Sequence, residues 1–242
     1  GCDTFPPDIN GASRFAERLA GGLARHGNDV HVIAPAFDKN HGSFTEIIDG
    51  SPMTVHRIKS YKLPQHKTLR WIWPFNLESK TAKILSQVKP DAVHIQSHLI
   101  MGRALVNSAK RQGIRVLATN HIMPENLIKY SVIIPGFLEK TAMKLAWADA
   151  GRILKKVDFV TTPTRRAAEL LEAAAGVKDV LAISCGIDAS KFAVIAEGAK
   201  KGCPISRQLA ADNAIRALAC DNLSGATANL KAAGIHRGQF AR

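Results

Sequence analysis

Two histidines in this sequence lie where a side chain could transfer a proton or hydrogen-bond a ligand. His98 and His121 each end a short apolar run that reads as a β-strand, residues 92–95 for the first and 116–120 for the second. Ligands of open α/β sheets bind beyond the carboxyl ends of the strands. A neutral imidazole there can donate to or accept from a hydroxyl group near pH 7. The alternative for His121 is a surface histidine, and His94, in mid-strand, is expected to pack within the sheet.

The four residues Asn10, Gly11, Ala12 and Ser13 precede or begin a predicted helix and could bind a phosphate. A glycine lets the backbone come close to a phosphate, and the amides at a helix N-terminus offer donors and the positive end of the helix dipole. The alternative is an ordinary strand-to-helix turn, because short glycine motifs are weak signals.

Cations alternate with aromatic residues between positions 61 and 73. The segment includes Lys62, Lys67, Arg70, Trp71 and Trp73. Such a composition suits an anionic membrane surface, because the rings settle at headgroup depth while Lys and Arg meet phosphates. The alternative is a solvated loop with two buried tryptophans.

The overall composition narrows the classes of partner. A formal charge of +13 and a pI near 9.9 favour an anionic partner. No helix-turn-helix, zinc-finger or RNA-recognition signature is present, so nucleic acid is not expected. The four cysteines are scattered without C-x-x-C spacing, which predicts neither a metal site nor a redox motif. Without a long apolar run or a signal-peptide pattern, we expect a cytoplasmic chain, with peripheral contact at the inner face of the cell membrane left open.

Repeated alternation of strands and helices predicts an α/β fold built on a parallel, doubly wound sheet. A first helix should bury the face that carries Phe15, Leu19 and Leu23. The predicted strands are 30–35, 53–58, 92–95, 116–120, 159–163 and 180–184, and the predicted helices after the first are 78–88, 102–112, 136–156 and 165–175. After Phe192 large apolar residues become sparse, so we place a domain boundary there and expect residues 193–242 to form a helical or disordered tail.

Five segments carry a resemblance to family 4 retaining glycosyltransferases of the GT-B fold. They are Asp3-Thr4-Phe5-Pro6-Pro7-Asp8-Ile9-Asn10-Gly11-Ala12-Ser13, Pro90-Asp91-Ala92-Val93-His94-Ile95-Gln96-Ser97-His98, Val116-Leu117-Ala118-Thr119-Asn120-His121, and the pair Asp158–Thr164 with Ile183–Phe192. The last pair resembles the family's D-x-V-x-x-P-S and I-x-N-G-I-D segments and is the most specific. Ala12 replaces a usual glycine and Cys185 a usual asparagine.

The resemblance implies the N-terminal, acceptor-binding half of a GT-B enzyme, which is Rossmann-like. The implied reaction moves a hexosyl group, with retention, from a nucleotide sugar of the GDP-mannose or UDP-glucose type to a lipid or sugar acceptor, without a metal or other cofactor. The implied catalytic residue is His121, the implied diphosphate loop is Asn10 to Ser13, and the implied acceptor side is His98, Thr119 and Asn120. In relatives that glycosylate lipids, a basic stretch of this domain docks on the membrane.

The sequence also departs from that family. The donor-binding half carries an E-x7-E pair, whereas Glu197 is the last glutamate here. The family's first strand, which is central in the sheet, should precede Asp3. We therefore expect a fragment or frameshifted product that has no turnover alone, with the tail after Phe192 out of the ancestral frame. The alternative function is a non-catalytic membrane- or acceptor-binding module.

Overall fold

A computed structural model describes residues 1–62, 70–125 and 136–186 of the chain. In chain order the elements are α1 (Gly11–Arg25), β1 (His31–Pro35), β2 (Gly42–Ile48), β3 (Ser51–Ile58), β4 (Tyr61–Lys62), β5 (Arg70–Trp71), α2 (Leu77–Val88), β6 (Ala92–Ile95), α3 (Ile100–Arg111), β7 (Arg115–Thr119), a 3₁₀ turn (Gly136–Leu138), α4 (Glu139–Leu154), β8 (Phe159–Thr162), α5 (Arg165–Ala175) and β9 (Leu181–Ala182). Each predicted helix and strand is present, with ends that shift by up to three residues.

The larger sheet is parallel throughout, in the order β6-β7-β8-β9. Its register sets Ile95 beside Ala118 and Thr119 beside Thr161. Apolar residues of β6, β7 and β8 are buried against α2, α3 and α4, which confirms the predicted alternation of strand and helix. The carboxyl ends of parallel strands lie at the same edge of the sheet. The polar residues that follow β6 and β7 are therefore close together.

The smaller sheet contains a strand that the sequence analysis missed. Its order is β1-β3-β2, with β1 parallel and β2 antiparallel to β3. The chain turns between β2 and β3 at Asp49 and Gly50, which both have positive φ values, of 47° and 77°. Two-residue turns of this kind connect hairpins and favour Asp-Gly. The smaller sheet is therefore mixed, and its antiparallel strand β2 is an addition to the predicted parallel, doubly wound fold.

Helix α1 turns a different face to the core from the one predicted. Ser13, Ala16 and Ala20 are buried, whereas Leu23 is exposed and Phe15 is only half-buried. Short side chains on the buried face let the helix axis come close to the sheet, an advantage that apolar periodicity does not reveal. Phe15 instead places its ring 4.7 Å from the ring of His121.

Residues Gly1 and Cys2 lie between the two sheets. Gly1 donates to the carbonyl of His94 and its own carbonyl accepts from the amide of Gln96 at 2.9 Å. On the other side, the amide of Cys2 donates to the carbonyl of Ile33 at 3.0 Å. Gly1 thus donates to one residue of β6 and accepts from the residue two positions further on, which is the hydrogen-bond pattern of parallel strands. Gly1 and Cys2 therefore connect the edge of β6 to the edge of β1.

The described residues up to Ala182 form one compact unit, and a second begins at Ile183. The predicted boundary after Phe192 and the predicted tail lie outside the described residues. Within the described ranges, no helix combines the length and the apolar character needed to cross a membrane.

Candidate functional site

The carboxyl ends of β6 and β7 hold two pairs of hydrogen-bonded polar side chains. His98 Nδ1 lies 3.1 Å from Asn120 Oδ1, and His121 Nε2 lies 3.1 Å from Gln96 Oε1. Each pair joins a residue after β6 to one after β7, so the parallel register of the two strands fixes both histidines. The structure therefore brings His98, Asn120 and His121 together, as the strand ends predicted.

His121 is neutral over the physiological pH range. Burial lowers its pKa to about 4, since removing the ring from water disfavours the charged form. With the Gln96 carbonyl oxygen as acceptor, the proton of the neutral ring is on Nε2 and the lone pair is on Nδ1. The Phe15 ring packs beside the imidazole. Such a side chain can orient or accept from a hydroxyl group without carrying charge.

His98 is more deeply buried than His121. Burial is the main cause that lowers its pKa, while the hydrogen bond to Asn120 and the carboxylates of Asp149 and Asp3 act in the opposite direction. Asn120 is 1% exposed and donates its own backbone amide to Thr161. The ring of His98 is therefore bonded to a buried residue whose own backbone is fixed to β8.

Thr119 supports the site from within the sheet. Its hydroxyl lies 2.7 Å from His94 Nε2 and 2.8 Å from the hydroxyl of Thr161, and the residue is 3% exposed. His94 lies within β6 as predicted, and burial is the main cause that lowers its pKa to about 4. Thr119 is thus a neighbour of the site whose side chain already has partners inside the protein.

The loop before α1 uses two of its side chains to build the helix start. Asn10 Oδ1 accepts from the amide of Ser13 at 2.9 Å, and Ser13 Oγ donates to the carbonyl of Asp8 at 2.7 Å. The amides of Gly11 and Ala12 belong to the first turn, where no intrahelical acceptor exists. A Cβ added to Gly11 would meet nothing within 4 Å, so the backbone there is open to a ligand.

The start of α1 lies one helical turn from a residue that contacts His121. Gly11 is four residues before Phe15, so both are on one face of α1, a single turn apart. Phe15 contacts the His121 ring directly. The open amides at the helix start therefore lie about one turn, some 5 Å along the helix axis, from the residue that touches the imidazole.

Asp3 is a site-forming residue that the sequence analysis did not single out. Its carboxylate accepts from the amide of Met101 at 2.9 Å and from the hydroxyl of Ser97. Burial raises its pKa, and these hydrogen bonds oppose the rise. The Asp3 carboxylate caps α3, which explains why this helix begins at Ile100 rather than at the predicted Gly102. The sequence feature that could have indicated this role is that Asp3 is an acidic residue in a segment that resembles the glycosyltransferase family.

Exposed aromatic residues from the described ends of the basic aromatic segment, together with two residues outside it, form a surface that we call the aromatic patch. It is defined as Phe37, Tyr61, Trp71, Trp73 and Phe75. Trp71 is 40% exposed, Trp73 is 55% and Phe75 is 76%. The alternative prediction of two buried tryptophans was therefore wrong. The three rings Trp71, Trp73 and Phe75 form a row with centroids 6.4 Å and 6.0 Å apart.

Three cationic side chains lie over rings of the aromatic patch, and one of them, Arg70, also hydrogen-bonds to a buried serine. The Nζ atoms of Lys59 and Lys62 lie 5.7 Å and 5.9 Å from the ring centroids of Tyr61 and Phe37. Arg70 also lies over Phe37, at 5.2 Å, and its Nε donates to Ser60 Oγ at 2.8 Å. Arg70 thus anchors the patch to the protein, while the predicted contact residue Lys67 lies outside the described residues.

No group of three or more His, Cys, Asp or Glu side chains in the described ranges is arranged to hold a metal ion. The polar atoms at the strand ends are imidazole, amide and hydroxyl groups, which suit hydrogen bonds to a polyol or a phosphate ester.

Comparison with known proteins places this geometry in context. Residues 9–191 match the family model for Glycosyltransferase Family 4. A GDP-mannose-dependent alpha-mannosyltransferase of Mycobacterium tuberculosis is 26% identical over 196 residues, which cover 79% of this chain and 47% of the relative. Its counterpart in Mycolicibacterium smegmatis is 26% identical over 71% of this chain and 43% of the relative. An alpha-monoglucosyldiacylglycerol synthase of Acholeplasma laidlawii is 24% identical over 68% of this chain and 39% of the relative. The chain spans less than half the length of these curated relatives.

Proposed function

The chain belongs to glycosyltransferase family 4, and on that premise we propose that it is the acceptor-side half of a retaining hexosyltransferase. The donor would be a nucleotide sugar of the GDP-mannose or UDP-glucose type, and the acceptor a hydroxyl group of a lipid or sugar. The names of the relatives support this range, since two are GDP-mannose-dependent mannosyltransferases and one is a glucosyldiacylglycerol synthase. The observation that carries the proposal is the neutral His121 next to the open start of α1.

In the proposed reaction, the bond between the sugar and the departing nucleotide breaks as the sugar joins the acceptor oxygen. Negative charge then grows on the diphosphate, and fixed donors aimed at that charge stabilise the transition state. The amides of Gly11 and Ala12 and the positive end of the α1 dipole would supply part of this stabilisation. His121 would hydrogen-bond the transferred sugar, and the buried residues His98, Thr119 and Asn120 would support the acceptor side from the ends of β6 and β7.

The test is a chimera in which residues 9–182 of this chain replace the matched portion of the M. smegmatis relative. We expect the purified chimera to transfer radiolabelled sugar from GDP-mannose or UDP-glucose to a lipid extract or to soluble sugars. The 242-residue chain, assayed in parallel, is expected to show no transfer, because its donor contacts come from the α1 start alone. A chimera with native circular dichroism that transfers from neither donor to either acceptor class contradicts the proposal.

A second role, contact with an anionic membrane, is favoured by the aromatic patch. Three exposed rings in a row beside Lys59 and Lys62 have the composition of an interfacial contact. We propose that the chain works at a membrane surface, which would bring a lipid acceptor to the cleft.

Replacing both Trp73 and Phe75 by alanine is expected to weaken binding to vesicles that contain phosphatidylglycerol at least tenfold. Burial of one aromatic side chain is worth about 1.5–3 kcal/mol, and about 1.4 kcal/mol corresponds to a tenfold change. Vesicle sedimentation at low salt measures this, and added salt should weaken the binding of the parent chain. The matched control is Phe44→Ala, since Phe44 is an exposed aromatic on β2. Equal losses in the control and the double variant would contradict a specific patch.

A further inference from the structure

A chain of polar side chains in contact crosses one face of the smaller sheet. Ser43 Oγ lies 2.7 Å from His56 Nδ1, and His56 Nε2 lies 3.1 Å from His31 Nδ1. The other ring nitrogen of His31, Nε2, lies 3.5 Å from Asp29 Oδ2. The strands β2, β3 and β1 thus contribute one residue each, and the carboxylate precedes β1. These residue types are those of a nucleophile, its base and the groups that orient the base.

The pairing of β2 with β3 explains why Ser43 and His56 meet. The two-residue turn between these strands has positive φ at both positions, so Ile48 and Ser51, which flank it, form a hydrogen-bonded pair. The two kinds of pair alternate along an antiparallel ladder, which makes Ser43 and His56 a non-hydrogen-bonded pair. Pro52 falls at a position of the same kind, as it must, because it has no N–H to donate. Side chains are closest in such pairs.

One set of neutral tautomers satisfies all three contacts. The Ser43 hydroxyl donates to Nδ1 of His56, so the proton of that ring is on Nε2 and is donated to Nδ1 of His31. The proton of His31 is then on Nε2, on the side of Asp29. Burial is the main cause that lowers the pKa of His56, and the nearby His31 acts in the same direction. His56 is therefore a neutral base whose lone pair faces the serine hydroxyl.

The hydroxyl is exposed, whereas the base beside it is sheltered. Ser43 lies on the surface of β2, and His56 is 8% exposed. Because Ser43 belongs to a non-hydrogen-bonded pair, its backbone amide points away from β3, toward the outer edge of β2. In the part of the chain that the structure describes, no further strand pairs with this edge. A reagent in solvent can therefore reach the hydroxyl, and the amide of the same residue can donate to a carbonyl oxygen there.

We propose that Ser43 is a nucleophile that accepts the acyl group of a short-chain activated ester, with His56 as its general base. Ser43 Oγ forms a bond to the carbonyl carbon as its proton passes to Nδ1 of His56. The bond between that carbon and the leaving-group oxygen then breaks, and His56 gives the proton to the departing alcohol. The amide of Ser43 stabilises the negative charge that develops on the carbonyl oxygen. His31 and Asp29 are positioning residues, which hold the ring of His56 and stabilise its charged form.

The test measures labelling of the 242-residue chain by an alkyl fluorophosphonate, a reagent for activated serines. The serine oxygen bonds to phosphorus and fluoride leaves, so the label stays on the nucleophile. Mass spectrometry of peptides should locate the label at Ser43, and Ser43→Ala should remove it. His56→Ala is expected to slow labelling about 100-fold, the lower end of the range for a positioned base. No label at Ser43, or an unchanged rate in His56→Ala with the circular dichroism of the parent, overturns the proposal.

Two cysteine variants test the same base without changing a buried residue. The thiol of Ser43→Cys faces His56, whereas that of Thr45→Cys lies on the same exposed face of β2, opposite Thr54. A neighbouring histidine favours the thiolate, which is the reactive form. Alkylation by iodoacetamide at pH 7, followed site by site in peptides, is therefore expected to be at least tenfold faster in Ser43→Cys. Equal rates at the two positions show that His56 does not activate its neighbour and overturn the proposal.

Discussion

Replacing His121 by alanine is expected to lower the rate of sugar transfer by the chimera about 100- to 10,000-fold, the range typical of a positioned acid–base or hydrogen-bonding group. The imidazole of His121 contacts both the β6 end, through Gln96, and the α1 helix, through Phe15. Alanine removes the ring that lies between the end of β6 and helix α1, where we propose that the transferred sugar binds. The initial rate of label transfer at saturating donor measures the loss.

The matched control is His41→Ala, because His41 is an exposed histidine between β1 and β2. The control should retain the parent rate. A second control is the pH profile of the parent chimera. Since the folded-state pKa of His121 is about 4, its protonation should not reduce the rate between pH 8 and pH 6. A rate within twofold of the parent in His121→Ala would remove this residue from the proposed chemistry.

Gly102→Ala is expected to lower the free energy of unfolding by about 3 kcal/mol, at the upper end of the usual cost of overpacking. A Cβ at this position would be 1.8 Å from the backbone oxygen of Ser97 and 2.9 Å from its carbonyl carbon. Neither atom is the end of a flexible side chain, so α3 or the 97–98 turn must move. For a domain of this size the melting temperature should fall by about 6–12 °C.

Gly22→Ala is the control for the effect of the amino-acid exchange itself. Gly22 lies inside α1, and a Cβ there meets nothing within 4 Å. Alanine at this position should stabilise the chain by up to about 1 kcal/mol, because glycine is the weaker helix former. Equal melting temperatures for Gly102→Ala and the parent would show that α3 does not need its close approach to Ser97.

The regular elements of the larger sheet were predictable because short stretches of their sequence indicate the secondary structure clearly. The strand 92–95 and the helix 165–175 were predicted with the observed bounds, since each is flanked by turn residues and has a clear apolar pattern. Strand β2 was missed because most of it is exposed, with Phe44 and Ile47 on the surface. Its readable signal was the Asp49-Gly50 turn.

The sequence predicts which histidines lie at the candidate site, but it does not predict the hydrogen bonds that they make. That His98 and His121 follow neighbouring strands is evident from the sequence, whereas their pairing with Asn120 and Gln96 depends on the register of β6 against β7. The role of Asp3 depends on a contact with residues more than ninety positions away. The buried face of α1 was misjudged because periodicity ranks large apolar residues above alanine and serine.

The carboxylate of Asp3 couples two parts of the chain that are far apart in sequence. Its bonds to Ser97 and Met101 span 94 and 98 residues, and contacts of such high sequence separation close large loops at an entropic cost. Local contacts among β6, α3 and β7 carry no such cost and can form first. The loop with Gly11 and Ala12 would then dock onto a finished frame late in folding, so a ligand held by that loop would slow unfolding more than it would speed folding.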